Sequence, residues 1–227
     1  IKLSRKDNLG IKKQFNRQTL DEFIAQLPFE LTFDQEQAAL EVINDLQKET
    51  MMYRFVQGDV GSGKTVVGAI GLYANYLAGY QGAMMAPTEI LATQHYRSLI
   101  KLFKKIDINI ALLTGHLSNK EKQRIYNDLE NGTIDIVVGT HALFQEKVIY
   151  QKLGLVITDE QHRFGVRQRE MLAQKGEEPH VLVMTATPIP RTLALILYGD
   201  LDISTINELP PGRQKVDTFA VNHTYDN

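Results

Sequence analysis

No cysteine occurs in the 227 residues, which removes disulfide scaffolds, thiol catalysis and cysteine-ligated zinc together. Long apolar runs are missing as well. The most extended, such as 82–86 and 181–184, are far too short to span a bilayer, and no membrane partner is expected. The first residues show no signal-peptide pattern, so a cytoplasmic setting is the default expectation. Strong net charge is absent too: the formal value is −2 at pH 7, which does not by itself advertise nucleic-acid binding. There is no internal repeat and no low-complexity segment. Position 1 is Ile rather than Met, which points to a piece of a longer chain.

What is present suits one large α/β domain, or one domain with attached fragments. Hydrophobic residues make up 43% of the chain, enough for a real core, and 23% charged residues argue against disorder. The charge is unevenly placed. Residues 1–17 hold Lys2, Arg5, Lys6, Lys12, Lys13 and Arg17 against Asp7 alone, on an otherwise acidic chain. A DNA-facing strap and a solvated linker fit this leader equally well.

Helical and strand patterns alternate, which predicts a parallel sheet flanked by helices. Helices are expected over 19–27, 34–48 (behind an Asp34 N-cap), 64–78, from Pro87 to about 105, 119–130 and after Pro190. Strands are expected over 53–57, 83–86, 108–113, 134–139, 155–158 and 181–184. The last two are continuous apolar runs, as strands buried on both faces should be. Pro210-Pro211-Gly212 breaks the pattern, so the domain is expected to cover 18–208, with 1–17 as leader and 209–227 as linker.

Gly58-Asp59-Val60-Gly61-Ser62-Gly63-Lys64-Thr65 is a complete G-x-x-x-x-G-K-[ST] loop between a strand and a helix. Its glycines let successive backbone N–H groups turn inward to form an anion nest at a helix N-terminus. Lys64 would reach the β and γ phosphates of a nucleoside triphosphate, and the Thr65 hydroxyl would ligate Mg²⁺. Asp159-Glu160 follows another apolar strand, which puts two carboxylates at the same sheet edge. Alone, such a pair is usually a turn or a cap. Beside a phosphate loop it suits hydrolysis, with Asp159 in the Mg²⁺ shell and Glu160 orienting and deprotonating water.

Asp159-Glu160-Gln161-His162 resembles the DExH box of superfamily 2 helicases. The longer run through Arg163-Phe164-Gly165 is similar to the RecG branch-migration helicases. So are Thr185-Ala186-Thr187-Pro188-Ile189-Pro190-Arg191-Thr192-Leu193-Ala194, and Tyr198-Gly199-Asp200-Leu201-Asp202 leading into Leu209-Pro210-Pro211-Gly212-Arg213. The motifs fall in family order from Leu27 to Arg213. Transcription–repair coupling translocases share the Thr185–Thr192 run, but usually carry a second glutamate where Gln161 stands.

The resemblance implies a RecA-like ATP-binding motor domain of a DNA translocase, working on branched or forked DNA with ATP and Mg²⁺. It implies an upstream wedge domain, and a second motor domain beyond Asn227 that supplies arginines to the γ-phosphoryl group. It assigns Gln35, in Leu31-Thr32-Phe33-Asp34-Gln35, to the adenine edge; its amide can donate and accept at once. Phe29 could stack on the base, but a place in the core is the expectation. Pro87 and Thr88 (in Ala86-Pro87-Thr88-Glu89), Thr140 and His141 (after Gly139), and more weakly Thr114 and Gly115 (before His116), become DNA-backbone contacts. Ordinary N-capping explains Thr88 and Thr140 as well locally. His162, Thr185 and Thr187 are expected to couple nucleotide state to DNA grip. Arg163, Arg167 and Arg169 fit a basic cluster or a solvated helix face. Two other readings stay open: the motor of a coupling translocase, and a nucleotide-dependent DNA-binding module without independent turnover.

Overall fold

The computed structural model describes residues 10, 12–59, 63–159, 179–198 and 201–207. In chain order these form α1 (Arg17–Ala25), α2 (Phe33–Leu46), β1 (Tyr53–Gly58), α3 (Lys64–Leu77), β2 (Gln81–Met85), α4 (Glu89–Leu102) and β3 (Ile110–Leu113). Then follow α5 (Asn119–Glu130), β4 (Ile136–Gly139), a single 3-10 turn (His141–Phe144), β5 (Leu153–Asp159), β6 (His180–Thr185), α6 (Arg191–Tyr198) and β7 (Asp202–Ile206). The seven strands make one sheet in the order β3-β4-β2-β5-β6-β1-β7, every pair parallel.

Both faces of this sheet are covered, and alternation along each strand decides which side chain meets which helix. Val56, Met84, Ile136, Val138, Leu155, Ile157, Leu182 and Met184 pack beneath α1 to α4. Phe55, Ala83, Met85, Val137, Val156, Val181 and Val183 point the other way, with Leu129 of α5 and Ala194 of α6. Each fully buried side chain of this size contributes about 1.5–3 kcal/mol. Gly68 of α3 lies against Ile157, where an added Cβ would come within 3.2 Å of Cδ1, so this helix sits close to the sheet.

Local chemistry sets the helix starts. The expected Asp34 cap of α2 is corrected: Thr32 is the N-cap, and its hydroxyl accepts the Gln35 N–H in a capping box closed by the Gln35 side chain. Asp34 instead accepts the Asn207 N–H at 2.9 Å, tying the start of α2 to the end of β7. Edge strand β7 has no counterpart among the strands expected from sequence. Arg54 of β1 anchors it: the buried guanidinium donates to Asp45 (2.8 Å) and Glu41 (2.8 Å) of α2, and to Ser204 of β7 (3.0 Å).

Part of the basic leader packs at the N-terminal edge of the sheet. The Gly10 N–H donates to Glu49 O at 2.7 Å and the Lys13 N–H to Leu46 O at 2.8 Å. The Lys13 side chain is buried, with its ammonium 3.7 Å from the centre of the Tyr80 ring. Lys152 lies 4.2 Å from the same centre. Burial, and then the nearby Lys152 charge, push the Lys13 amine down to about 8. Arg17 pairs with Asp21 on α1 at 2.9 Å. Among the described residues no helix is long and apolar enough to cross a membrane.

Candidate functional site

All seven strands run the same way, and their C-terminal ends are level. Leu113 pairs with Gly139, Gly139 with Met85, and Met85 with Thr158. Asp159 pairs with Met184, Thr185 with Gln57, and Gly58 with Ile206. The phosphate loop, Asp159, the threonine run at Thr185 and the three expected DNA-contact motifs stand at or directly after these ends, so a single rim collects them; Gln35, on α2, is the exception. The order along the rim is Thr114–Gly115 after β3, Thr140–His141 after β4, Pro87–Thr88 after β2, Asp159 on β5, Thr185 on β6 and Gly58 on β1. The rim thus has two halves, β3-β4-β2 and β5-β6-β1-β7.

In the second half, Gly63 opens α3 with φ +84°, a left-handed conformation that glycine adopts without strain. Among the described residues no side chain caps this helix start. The first N–H groups of a helix and the positive end of its dipole form an arrangement that receives anions. The Lys64 ammonium donates to the carbonyls of Gly58 (2.6 Å) and Asp59 (3.2 Å), folding back over its own loop. Thr65 follows in the first turn, half-buried. Gln35 Oε1 accepts the Thr32 N–H at 2.9 Å, and its Nε2 donates to Gly63 O at 3.4 Å. The amide expected to read an adenine edge is thus buried and already joins α2 to the phosphate loop. The expected core position of Phe29 is corrected: its side chain is 43% exposed.

Alternation along β5 sends Asp159 to the same face as Leu155 and Ile157, the face of α3 and α4. There its carboxylate Oδ2 accepts from His95 Nε2 of α4 at 2.7 Å. Thr185 takes the opposite face, with Val183. Its hydroxyl closes a short turn, accepting the Thr187 N–H at 3.1 Å and donating to Thr187 O at 3.3 Å. The two threonines are thus brought together with each other, and among the described residues the partner of the Asp159 carboxylate is His95. Val60, Gly61, Ser62, Glu160, His162, Arg163, Arg167 and Arg169 lie outside the described residues.

In the first half, the structure separates two threonines that look alike in sequence. Thr88 is a working N-cap of α4, accepting the Leu91 N–H at 3.2 Å. Thr140 precedes the 3-10 turn and makes no side-chain cap bond. The Gly115 N–H donates to Glu89 Oε1 at 2.5 Å, and Glu89 Oε2 accepts from His116 Nε2 at 2.8 Å. A phosphate reaching Gly115 must therefore compete with a carboxylate. Pro87 is half-buried, and Thr88 and His141 are exposed.

Two residues matter here that sequence reading missed, His95 and Glu89 in its bridging role. A lone histidine within a helix carries no motif. The available signal was its spacing: it shares a stripe with Ala92 and Leu99, both buried, where an apolar residue is expected.

The family model of DEAD/DEAH box helicases matches residues 32–196, from the cap of α2 into α6. The chain belongs to the DEAD/DEAH box helicase family. Within it, this helicase domain is similar to the ATP-dependent DNA helicase RecG of Bacillus subtilis, 52% identical over 222 residues. It is equally similar to that of Thermotoga maritima, 52% identical over 221 residues. These alignments take in 98% and 97% of the chain but 33% and 28% of the relatives, so the chain spans about a third of their length. A structure of RecG bound to a three-way DNA junction superposes with TM-score 0.82 at 49% identity, over 93% of this chain and 28% of that one. The DNA-bound helicase MrfA, at 17% identity and TM-score 0.63 over 88% of this chain and 31% of that one, shares the fold. The parallel sheet covered on both faces is the RecA-like fold of such helicase domains.

Proposed function

We propose that this helicase domain is the first, ATP-binding motor of a DNA translocase that remodels branched DNA. The observation that carries the reading is the division of one rim into a phosphate-loop half and a half where Pro87–Thr88, Thr114–Gly115 and Thr140–His141 follow the strand ends. Lys64 and the N–H groups opening α3 receive the triphosphate. Oxygen donors on Thr65 and Asp159 suit a hard divalent cation, and Mg²⁺ is the ion such oxygen-rich phosphate sites take. When bound, it would neutralise phosphate charge. Asp159, on the face that also carries the phosphate-loop helix, supports this assignment. Glu160 is placed by sequence one residue further on, as the base for water.

The other half offers the hydroxyls of Thr88 and Thr140 and, in competition with Glu89, the Gly115 N–H, the kind of group that grips a phosphate backbone irrespective of sequence. Similarity to RecG over nearly the whole chain, together with the junction-bound form of that relative, supports branched DNA as substrate over the coupling-translocase reading. A wedge domain and a second motor domain fit the two thirds of the relatives that this chain does not span.

In the full-length gene product, Glu160→Gln should lower junction-stimulated ATP turnover about 10²–10⁴-fold, the usual worth of a general base, and leave Mg·ATP affinity within about twofold. Steady-state ATPase assays with three-way junction and linear duplex check both points. Turnover at a tenth of the original rate would assign the base elsewhere, and equal stimulation by linear duplex would remove branched DNA as the preferred substrate.

A further inference from the structure

α4 touches both halves of the rim. Its first residue, Glu89, holds the loop after β3 through the Gly115 N–H and His116. Two turns further on, His95 holds the Asp159 carboxylate at 2.7 Å. The eight residues from Thr88 to His95 span about 10 Å of one helix, short enough to move as a rigid piece. Both side chains of the His95–Asp159 pair are largely shielded, 14% and 20% exposed. A carboxylate oxygen without a proton can only accept, so Nε2 carries the hydrogen and donates it. Packing does not call for a histidine here. The stripe shared with Ala92 and Leu99 faces the sheet, and a polar ring in it costs solvation unless it finds a partner. Asp159 is that partner.

We infer that His95 is a positioning residue, fixing the orientation of the Asp159 carboxylate toward the metal and making that orientation follow α4, whose first turn belongs to the DNA half. The inference rests on the proposed role of Asp159 as the metal-holding carboxylate. A hydrogen-bonded outer partner of a ligating carboxylate is typically worth 10–100-fold in metal affinity. Contact of DNA with the Thr88–Gly115 region would shift α4, and with it the hydrogen bond that aims Asp159.

The test uses the full-length protein, a fluorescent non-hydrolysable ATP analogue, and Mg²⁺ titrated with and without saturating three-way junction. His95→Leu keeps the apolar stripe, and its half-saturating Mg²⁺ concentration is expected to rise about 10–100-fold. The effect of the junction on that concentration should vanish, while analogue binding without Mg²⁺ stays within twofold. His95→Gln retains an N–H near the position of Nε2 and should restore most of the metal affinity. Unchanged Mg²⁺ half-saturation in His95→Leu, or full loss in both variants tracking a fall in melting temperature, would reduce His95 to packing. Asp159→Asn run alongside separates the two claims. If it leaves the Mg²⁺ dependence intact, the metal assignment itself falls, and the His95 inference with it.

Discussion

The two halves of the sheet rim are built from the same strand-to-helix turns yet present opposite chemistry. In the β5-β6-β1-β7 half, α3 starts at Gly63 with no side-chain cap among the described residues, and Lys64 folds back onto Gly58. In the β3-β4-β2 half, helix α4 starts with a working cap, and a glutamate takes the neighbouring amide. An uncapped start keeps its N–H groups for a ligand, whereas a capped one has spent some of them within the protein. The difference teaches where each ligand's strong contacts should lie: a compact triphosphate on the open nest, an extended phosphodiester backbone on scattered hydroxyls. It also predicts unequal sensitivity to substitution.

The largest expected effect lies in the β5-β6-β1-β7 half. Lys64→Ala deletes a charge-assisted phosphate contact and should weaken nucleotide binding about 10–100-fold. Junction affinity without nucleotide should stay within twofold, as fluorescence titrations of both ligands would show. Equal losses for both would merge the halves. The threonine pair sharpens the contrast within the other half. Thr88→Ala should cost about 1 kcal/mol of stability in denaturant melts, because it removes a cap. Thr140→Ala, at a hydroxyl that caps nothing, should leave stability within about 0.5 kcal/mol and lower junction affinity about fivefold. The reverse assignment would mean that Thr88 is the DNA contact and Thr140 a structural residue.

Much of this division was legible beforehand. Continuous apolar strands such as Leu155–Val156–Ile157 are strong signals, and the chemistry-bearing residues sit directly after them, so the rim follows once the sheet is parallel. Capping was less well read: Thr32-Phe33-Asp34-Gln35 contains a complete capping box, yet Asp34 looked like the cap because aspartate is as good a capping residue as threonine. β7 was missed because Asp202-Ile203-Ser204-Thr205-Ile206 is short and half polar. Its place depends on Arg54, more than a hundred residues away in sequence. His95 was invisible for a similar reason, since its partner lies on β5, 64 residues further along the chain. Long-range polar pairing leaves no periodic trace.

The opposite edge of the sheet provides a control of smaller size. Lys13, held to about 8 by burial and then by Lys152, keeps its proton in the unfolded chain up to its ordinary value of 10.5. Between these values the unfolded state binds more protons, so folding stability should rise with pH from about 8 until the tyrosines begin to ionise near 10.0. The rise should be on the order of 1 kcal/mol, and Lys13→Met should flatten it without altering either ligand's affinity. Chemical denaturation as a function of pH measures the slope; a fall over this interval would contradict the placement of Lys13.

Hydrogen exchange on the full-length protein tests the divided rim most directly, with the ATP analogue and three-way junction added separately. The account predicts that the analogue alone protects amides at 58–65, and that junction alone protects those at 86–89, 114–116 and 139–141. Within α4, both ligands should alter exchange. Protection of the phosphate loop by junction in the absence of nucleotide, or of the β3-β4-β2 rim by the analogue alone, would contradict it.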